Sequence, residues 1–234
     1  MSEQQTLALL LPIKKHYGSW VRHPQVEEAS GRLALWFVQG GLLWLTSEEE
    51  AAGKSHLLQA LADENPHVAL LACDKRNVSS VQQLKLWLEQ CEHQAYWILD
   101  LPAGEIPTPF AYAVFHLIER AKEMNKALLI SWRCAENKMP DELRSRLLMM
   151  AKVAMSAPVD DVDLKRVLDS VLRHMQWDMK ETVLPTLLQH VPRTLGALLR
   201  ALILLDAYSK AHKVRMNASL ALRVLALHVL AEHD

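Results

Sequence analysis

Leu42-Leu43-Trp44-Leu45-Thr46-Ser47-Glu48-Glu49-Glu50-Ala51-Ala52-Gly53-Lys54-Ser55-His56-Leu57-Leu58-Gln59-Ala60 is the stretch on which the reading of this chain turns. An uninterrupted apolar run, Leu42 to Leu45, reads as a buried strand. A polar loop follows it, and then Leu57, Leu58 and Leu61 fall on one helical face. Gly53-Lys54-Ser55 stands where the loop becomes the helix. That is where a phosphate-binding loop keeps backbone N–H groups at a helix N-terminus, a lysine for the β and γ oxygens, and a hydroxyl for Mg²⁺. The full pattern G-x-x-x-x-G-K-[ST] has Glu48 at its first glycine position. The plain alternative is an ordinary strand-to-helix loop that starts its helix with a lysine.

Working outward, the same alternation repeats. Before the stretch, Val26, Ala29, Leu33, Leu35 and Trp36 mark a helix over 26–39, stopped by Gly40-Gly41. After it come a strand at Val68-Ala69-Leu70-Leu71 and a helix face of Val81, Leu84, Leu88 and Cys91. Tyr96-Trp97-Ile98-Leu99 is a further strand, ending on Asp100. Phe110, Val114, Leu117, Ile118 and Ala121 make another helix face, and Ala127 to Ser131 another strand. Short apolar runs alternating with amphipathic helices predict an α/β fold, a parallel sheet covered on both sides.

The pattern changes after Pro158. Leu164, Val167, Leu168, Val171, Leu172 and Met175 form a helical stripe, with Asp160 or Asp161 as its cap. A second helix is expected over 180–190, with Pro185 an awkward interior residue. Pro192 should start a third, over 193–211, and Asn217 should cap a fourth running to about 230. The expected organisation is an arm, 1–24, an α/β body, 25–157, and an all-helical lid, 158–234.

Composition narrows the function classes. In 234 residues, 50% are hydrophobic and 23% charged, enough for a sizeable core. Lys+Arg 26 against Asp+Glu 27 leaves a net charge of −1, so no direct specific DNA binding is expected. Only 7 glycines argue against a turn-rich all-β protein. Cys73, Cys91 and Cys134 are scattered, with no C-x-x-C, which reads as a reducing compartment. The apolar run Leu7 to Leu11 is too short for a signal peptide, and no run approaches a membrane span of about 20 residues. The expectation is a cytoplasmic protein with no membrane contact. No H-E-x-x-H and no G-x-S-x-G occurs, and the seven tryptophans are dispersed, as core or pocket-wall residues are.

Asp100, closing an apolar strand about 45 residues after Ser55, suits a Walker-B aspartate that holds the metal. The plain alternative is a strand-end carboxylate capping a turn. The following residue is Leu101, where many P-loop ATPases carry a second acid that orients the attacking water. Hydrolysis by this chain is therefore expected to be weak or absent.

Gly53-Lys54-Ser55-His56-Leu57-Leu58-Gln59-Ala60 resembles the G-[KR]-[ST]-H-L-L-H-A segment of the DnaA group of AAA+ proteins. Asp74-Lys75-Arg76 resembles one subgroup, the Hda-type regulatory inactivators of the initiator DnaA. Ala113 to Ile118 and Leu128 to Ser131 align with it as well. Leu143-Arg144-Ser145-Arg146-Leu147 resembles the arginine-finger box, and Val191-Pro192-Arg193-Thr194-Leu195 the start of the sensor-2 helix. These segments keep the family's order over residues 15–230. The resemblance implies an AAA+ P-loop parallel-sheet body with a C-terminal all-helical lid.

It implies roles too. Ala52, Gly53, Lys54, Ser55 and His56 would bind ADP or ATP, with Ser55 and Asp100 on Mg²⁺. Trp20 and Val21, in Tyr17-Gly18-Ser19-Trp20-Val21, match the stretch that lies over the base. Arg193 would contact phosphate within its own chain, and Arg146 would act in trans as an arginine finger. Gln4, Leu7 and Leu9 resemble the Q-x-x-L-x-[LF] peptide that docks on the DNA polymerase III sliding clamp; a Gln amide and two apolar side chains are the recognition elements. The implied partners are that clamp and DnaA. With the chain ending at Asp234, no helix-turn-helix domain is expected, which favours a short regulator over an initiator.

Two departures bear on the site. Glu48, Glu49 and Glu50 lie in the loop that should welcome phosphate, where like charges about 4 Å apart repel by about 1–4 kcal/mol. Ser131-Trp132-Arg133 replaces a small polar sensor-1 segment. A degenerate site is expected, one that holds a diphosphate and turns over little. The alternatives are an autonomous P-loop ATPase, such as a helicase-loader relative, and a nucleotide-free protein-interaction scaffold. Assembly into a homo-oligomer stays open.

Overall fold

A computed structural model of the chain describes residues 20–71, 73 and 79–231, the side chains of 228–231 excepted. Gln4, Leu7, Leu9, Tyr17 and the segment Asp74-Lys75-Arg76 lie outside the described residues. The chain divides into two compact units, the first ending at Ser156 and the second beginning at Ala157.

The first unit runs α1 (Pro24–Gln39), β1 (Leu42–Thr46), α2 (Lys54–Glu64), β2 (Val68–Leu71), α3 (Ser80–Cys91), β3 (Tyr96–Asp100), α4 (Thr108–Glu123), β4 (Ala127–Ser131), α5 (Asp141–Leu148) and β5 (Ala151–Ala154). The strands form one five-stranded sheet in the order β2-β3-β4-β1-β5, every pair parallel. The predicted sheet, covered on both faces, is present. Alternate strand residues divide between the faces. Trp44, Trp97, Leu99, Leu128 and Ile130 meet α3, α4 and α5, whereas Leu43, Leu45, Ile98, Leu129 and Val153 meet α1 and α2. β4 is central and buried at all five positions, which is why its sequence is continuously apolar.

Local chemistry sets the helix ends. Gly40 closes α1 at φ 70°, its N–H donating to the Trp36 carbonyl. Ser79 and Gln82 form a reciprocal capping box at the start of α3. Two predicted helix faces need correction. Val81 is 75% exposed and Leu35 49% exposed, because α3 turns Gln83, Trp87 and Cys91 inward, and α1 turns Val26, Ala29, Leu33 and Trp36 inward.

The second unit holds α6 (Asp161–Met175), α7 (Val183–His190), α8 (Leu195–His212) and α9 (Ala218–Ala231). Its core gathers Leu164, Leu168, Leu187, Leu198, Leu202 and Leu205. Asp160 is the cap of α6, its carboxylate accepting from the Asp163 N–H at 2.8 Å, and Asn217 caps α9 through the Leu220 N–H at 3.0 Å. Pro185 is not an interior residue: it falls in the first turn of α7, where an N–H has no intrahelical partner to lose. α8 begins two residues later than expected, at Leu195, because the Thr194 hydroxyl caps it by accepting from the Ala197 N–H. Among the described residues no helix is long and apolar enough to cross a membrane.

Candidate functional site

The strand order positions the site. The chain leaves β1 through α2 toward one edge of the sheet and leaves β4 through α5 toward the other. β1 and β4 are neighbours, so the crevice outside their carboxyl ends is a topological switch point, where open α/β sheets bind ligands. The segments after β1, β3 and β4 bring Ser47 to Ser55, Asp100 and Ser131 to Arg133 to that edge.

The loop after β1 reaches α2 through two left-handed residues, Ala51 at φ 60° and Gly53 at φ 86°. They flank Ala52, which is buried. Gly53 is the N-cap of α2, with no side-chain cap, so the first-turn N–H groups are left facing outward from the helix start. A Cβ built on Gly53 would lie 3.1 Å from the Trp20 ring. Gly53→Ala therefore combines a left-handed alanine with a steric overlap. It is expected to destabilise this unit by about 1–2 kcal/mol, read as a lower denaturation midpoint; an unchanged midpoint would mean that the loop adopts another conformation.

The Lys54 ammonium donates to the Ser47 hydroxyl, and that hydroxyl donates to the Glu49 carbonyl oxygen at 3.0 Å. Ser47 is buried. Burial holds the Lys54 pKa below the ordinary lysine range; the Asp100 carboxylate opposes that shift, Arg133 adds to it and Glu49 opposes it. In the sheet register Asp100 pairs with Ser131, and Ser131 with Leu45. In-register neighbours project to the same side, so Asp100 and Ser131 share the face covered by α1 and α2, the helix that carries Lys54. The Ser131 hydroxyl is fully buried and has no hydrogen-bond partner.

Leu101 turns the other way. It is buried in the core beneath α4, and its N–H donates to the Ser131 carbonyl at 2.8 Å. The Asp100 carbonyl accepts from the Cys73 thiol at 3.0 Å; burial, followed by the Asp100 charge, pushes that thiol up to about 12. Glu48, Glu49 and Glu50 are all exposed. Among the described residues no group of three or more His, Cys, Asp or Glu could hold a metal. Magnesium would need phosphate oxygens in addition to Ser55 and Asp100.

Trp20 packs edge-on against His56, ring centroids 5.8 Å apart, and over Gly53, so it lies against the loop itself. Val21 is half-buried. Arg193, in the second unit, donates from Nε to the Leu188 carbonyl at 3.2 Å and pairs through Nη1 with Asp161 at 3.1 Å; its side chain is exposed. Arg146, on α5, donates from Nε to Glu119 Oε1 at 2.8 Å, and its guanidinium lies over the Phe115 ring at 5.1 Å. Ser47 and Glu119 were given no site role from the sequence, and Phe115 stood only within the aligned segment Ala113 to Ile118. Ser47 bonds a motif residue but lies one place before the motif, and Glu119 is 27 residues from Arg146, a spacing with no recognisable signature.

No protein-family model matches the chain, and no curated protein matches it in sequence. Solved structures do match it in fold. Domain III of the replication initiation protein DnaA from Thermotoga maritima superposes with a TM-score of 0.69 at 17% identity, covering 92% of this chain and 98% of that one. The RuvB Holliday junction branch migration motor of Thermotoga maritima gives 0.58 at 14%, covering 92% and 72%. AMPPCP-bound DnaA from Aquifex aeolicus gives 0.55 at 14%, covering 88% and 70%. The fold is that of the AAA+ proteins. The match in fold spans nearly the whole of that DnaA domain.

Proposed function

We propose that the chain is a regulator of replication initiation of the Hda type. In this reading it binds ADP or ATP at the Lys54 loop, docks on the sliding clamp through Gln4, Leu7 and Leu9, and presents Arg146 to ATP-bound DnaA to stimulate hydrolysis there. The observation that carries the nucleotide reading is the convergence of Lys54, Asp100 and the buried, unpartnered Ser131 hydroxyl at the switch point of the sheet. An orphaned buried hydroxyl is costly unless a ligand completes it. Gly53, where a Cβ would strike Trp20, keeps the loop close against that ring.

Lys54 would exchange its Ser47 partner for phosphate oxygens. Ser55 and Asp100 would hold Mg²⁺ together with those oxygens, and the metal would neutralise phosphate charge. Trp20, against Gly53 and His56 at the start of α2, would wall the base, with Val21 next to it in the chain. The exposed glutamates offer little opposition, since water screens them. The phosphate role that the resemblance implies for Arg193 would require it to give up its Asp161 pair, worth about 0–1 kcal/mol at an exposed surface. With an apolar Leu101 buried in the core, nothing at that position orients a water, which favours a nucleotide-holding regulator over an autonomous ATPase. A cytoplasmic location accords with this role.

Calorimetry and thermal unfolding with ADP and ATP, each with and without Mg²⁺, test the site. Nucleotide at one hundred times its dissociation constant is expected to stabilise the protein by about 2.7 kcal/mol, and Lys54→Ala to remove that gain. Absence of heat and of any shift in the wild type would leave only the scaffold reading. Clamp retention that is equal for wild type, Gln4→Ala and Leu7→Ala would remove the docking peptide from the proposal.

A further inference from the structure

Arg133 is half-buried, and among the described residues no carboxylate or other acceptor pairs with its guanidinium. Arg120, Arg144, Arg146, Arg166, Arg193 and Arg215 each hold a carboxylate. The acidic side chains of the segments on either side of Arg133, Glu105 and Glu136, are taken by Lys138 at 3.1 Å and by Lys152 at 2.9 Å. Drawing an arginine partly out of water without a partner is costly, so its place calls for a ligand that compensates.

Its main chain is fixed at the switch point of the sheet. The Trp132 N–H donates to the Leu45 carbonyl at 3.0 Å, and the Arg133 carbonyl accepts from the Gly104 N–H at 2.8 Å. Ser131 lies on the α1 and α2 side of the sheet and Trp132 in the core beneath α4, so the alternation returns Arg133 to the side of Ser131, Asp100 and Lys54. The electrostatics agree. Burial is the largest cause of the lowered Lys54 pKa; Asp100 opposes it, and the Arg133 charge, next in size, adds to it. Glu49 is exposed to water. The enclosed part of the crevice thus sets two cations, Lys54 and Arg133, against one carboxylate, Asp100. Ser131-Trp132-Arg133 stands where the family resemblance leads to a small polar segment, so this cation is a property of the chain itself.

We propose that Arg133 is a second phosphate-binding cation of the Lys54 site, meeting the outer phosphate oxygens of a nucleoside di- or triphosphate from the β4 side and supplying from the protein part of the charge neutralisation that a divalent metal would give. This rests on the nucleotide reading of the Lys54 loop, and it adds a residue to that site. A guanidinium suits the task, because it stays charged in a partly buried place and offers two parallel N–H donors to a phosphate. Arg133 and magnesium would neutralise the same oxygens, so each should partly replace the other.

The test is calorimetry of the full-length chain with ADP and with inorganic pyrophosphate, each in magnesium and in EDTA, for the wild type, Arg133→Ala, Arg133→Lys and Lys54→Ala. Arg133→Ala is expected to weaken ADP by about tenfold to a hundredfold in magnesium, the worth of one or two charge-assisted hydrogen bonds. Pyrophosphate, which has no base, should lose affinity by the same factor. Arg133→Lys keeps the charge and should recover most of it. Removing magnesium should weaken ADP about tenfold more in Arg133→Ala than in the wild type, since the two cations act on one charge. Without ligand, Arg133→Ala should unfold at the wild-type midpoint or above it, because an unpaired cation has been removed. Equal ADP affinity in the wild type and Arg133→Ala overturns the proposal, as does a metal dependence equal in the two proteins. A loss confined to ADP overturns it by placing Arg133 against the base, and a ligand-free midpoint that falls overturns it by making the side chain a structural one. If Lys54→Ala weakens binding while Arg133→Ala is silent, only the role of Arg133 fails. If the wild type binds neither ADP nor pyrophosphate in either buffer, the nucleotide reading fails and takes this proposal with it.

Discussion

Replacing Arg146 by alanine is expected to lower the stimulated rate of ATP hydrolysis on DnaA by about 10³-fold, the lower end of what an arginine finger contributes. The reasoning starts at the side chain. Arg146, on α5, donates from Nε to Glu119 Oε1, and its side chain, whose far edge is the fork of Nη1 and Nη2, is 32% exposed. Inserted beside a transferring phosphoryl group in a site closed to water, that edge would face the charge that develops on the equatorial oxygens. Arg146→Lys should recover little, since an ammonium cannot offer two parallel N–H bonds. Stability is the control. The pair with Glu119 joins side chains 32% and 35% exposed, worth at most about 1 kcal/mol once solvent screening is counted, so the unfolding midpoint should barely move. A variant rate within about threefold of wild type, measured in single turnover with clamp present, would remove Arg146 from the mechanism.

Trp132→Ala is expected to destabilise the first unit by about 3–5 kcal/mol, a large share of the 5–15 kcal/mol that holds a typical domain together. Trp132 is fully buried just past β4. Its N–H donates to the Leu45 carbonyl at 3.0 Å, its Nε1 to the Gly104 carbonyl at 3.0 Å, and its own carbonyl accepts from Trp44 Nε1 at 3.3 Å. Truncation opens a ring-sized cavity and leaves Gly104 without that donor. The two bonds that tie the ends of β1 and β4 together run through the main chain of residue 132 and survive the truncation, so it is the lost ring packing at those strand ends that should register at the Lys54 loop as well as in the global midpoint. Hydrogen exchange of the β1 and β4 amides, with denaturant unfolding, measures both. Trp132→Phe fills most of the volume and should cost about 1–3 kcal/mol, chiefly for the unpaired Gly104 carbonyl. A loss below about 1 kcal/mol for Trp132→Ala would show that the segment repacks.

How far the sequence could be read depended on how strongly each feature is dictated locally. Three strands were legible because a strand inside the sheet, buried on both faces, must be apolar throughout, as β4 is; β2, at an edge, was legible because Val68-Ala69-Leu70-Leu71 is apolar all the same. β5 was not legible. It lies at the sheet edge with Val153 its one buried residue, and Ala151-Lys152-Val153-Ala154 carries no signal stronger than chance. Caps such as Asp160 and Asn217 were legible because one side chain and its own backbone decide them. The facing of α3 was not, because Trp87, with Phe110 edge-on at 5.3 Å, outweighs Val81 for the inward position. Lys54 and Asp100 stood out through motif spacing. Ser47 and Glu119 are fixed by tertiary approach alone, and the orphaned hydroxyl of Ser131 emerges only once its strand is seated between two others.

The edge strand has a consequence for association. β5 exposes a row of main-chain donors and acceptors only four residues long, so a strand from another molecule could gain only a few ladder bonds there. Lys152, in the middle of that row, arches over the Trp44 ring at 4.5 Å and pairs with Glu136 at 2.9 Å. An incoming strand would have to strip water from that ammonium or displace it. The side of the sheet that is hardest to recognise in the sequence is thus guarded against runaway stacking into fibrils.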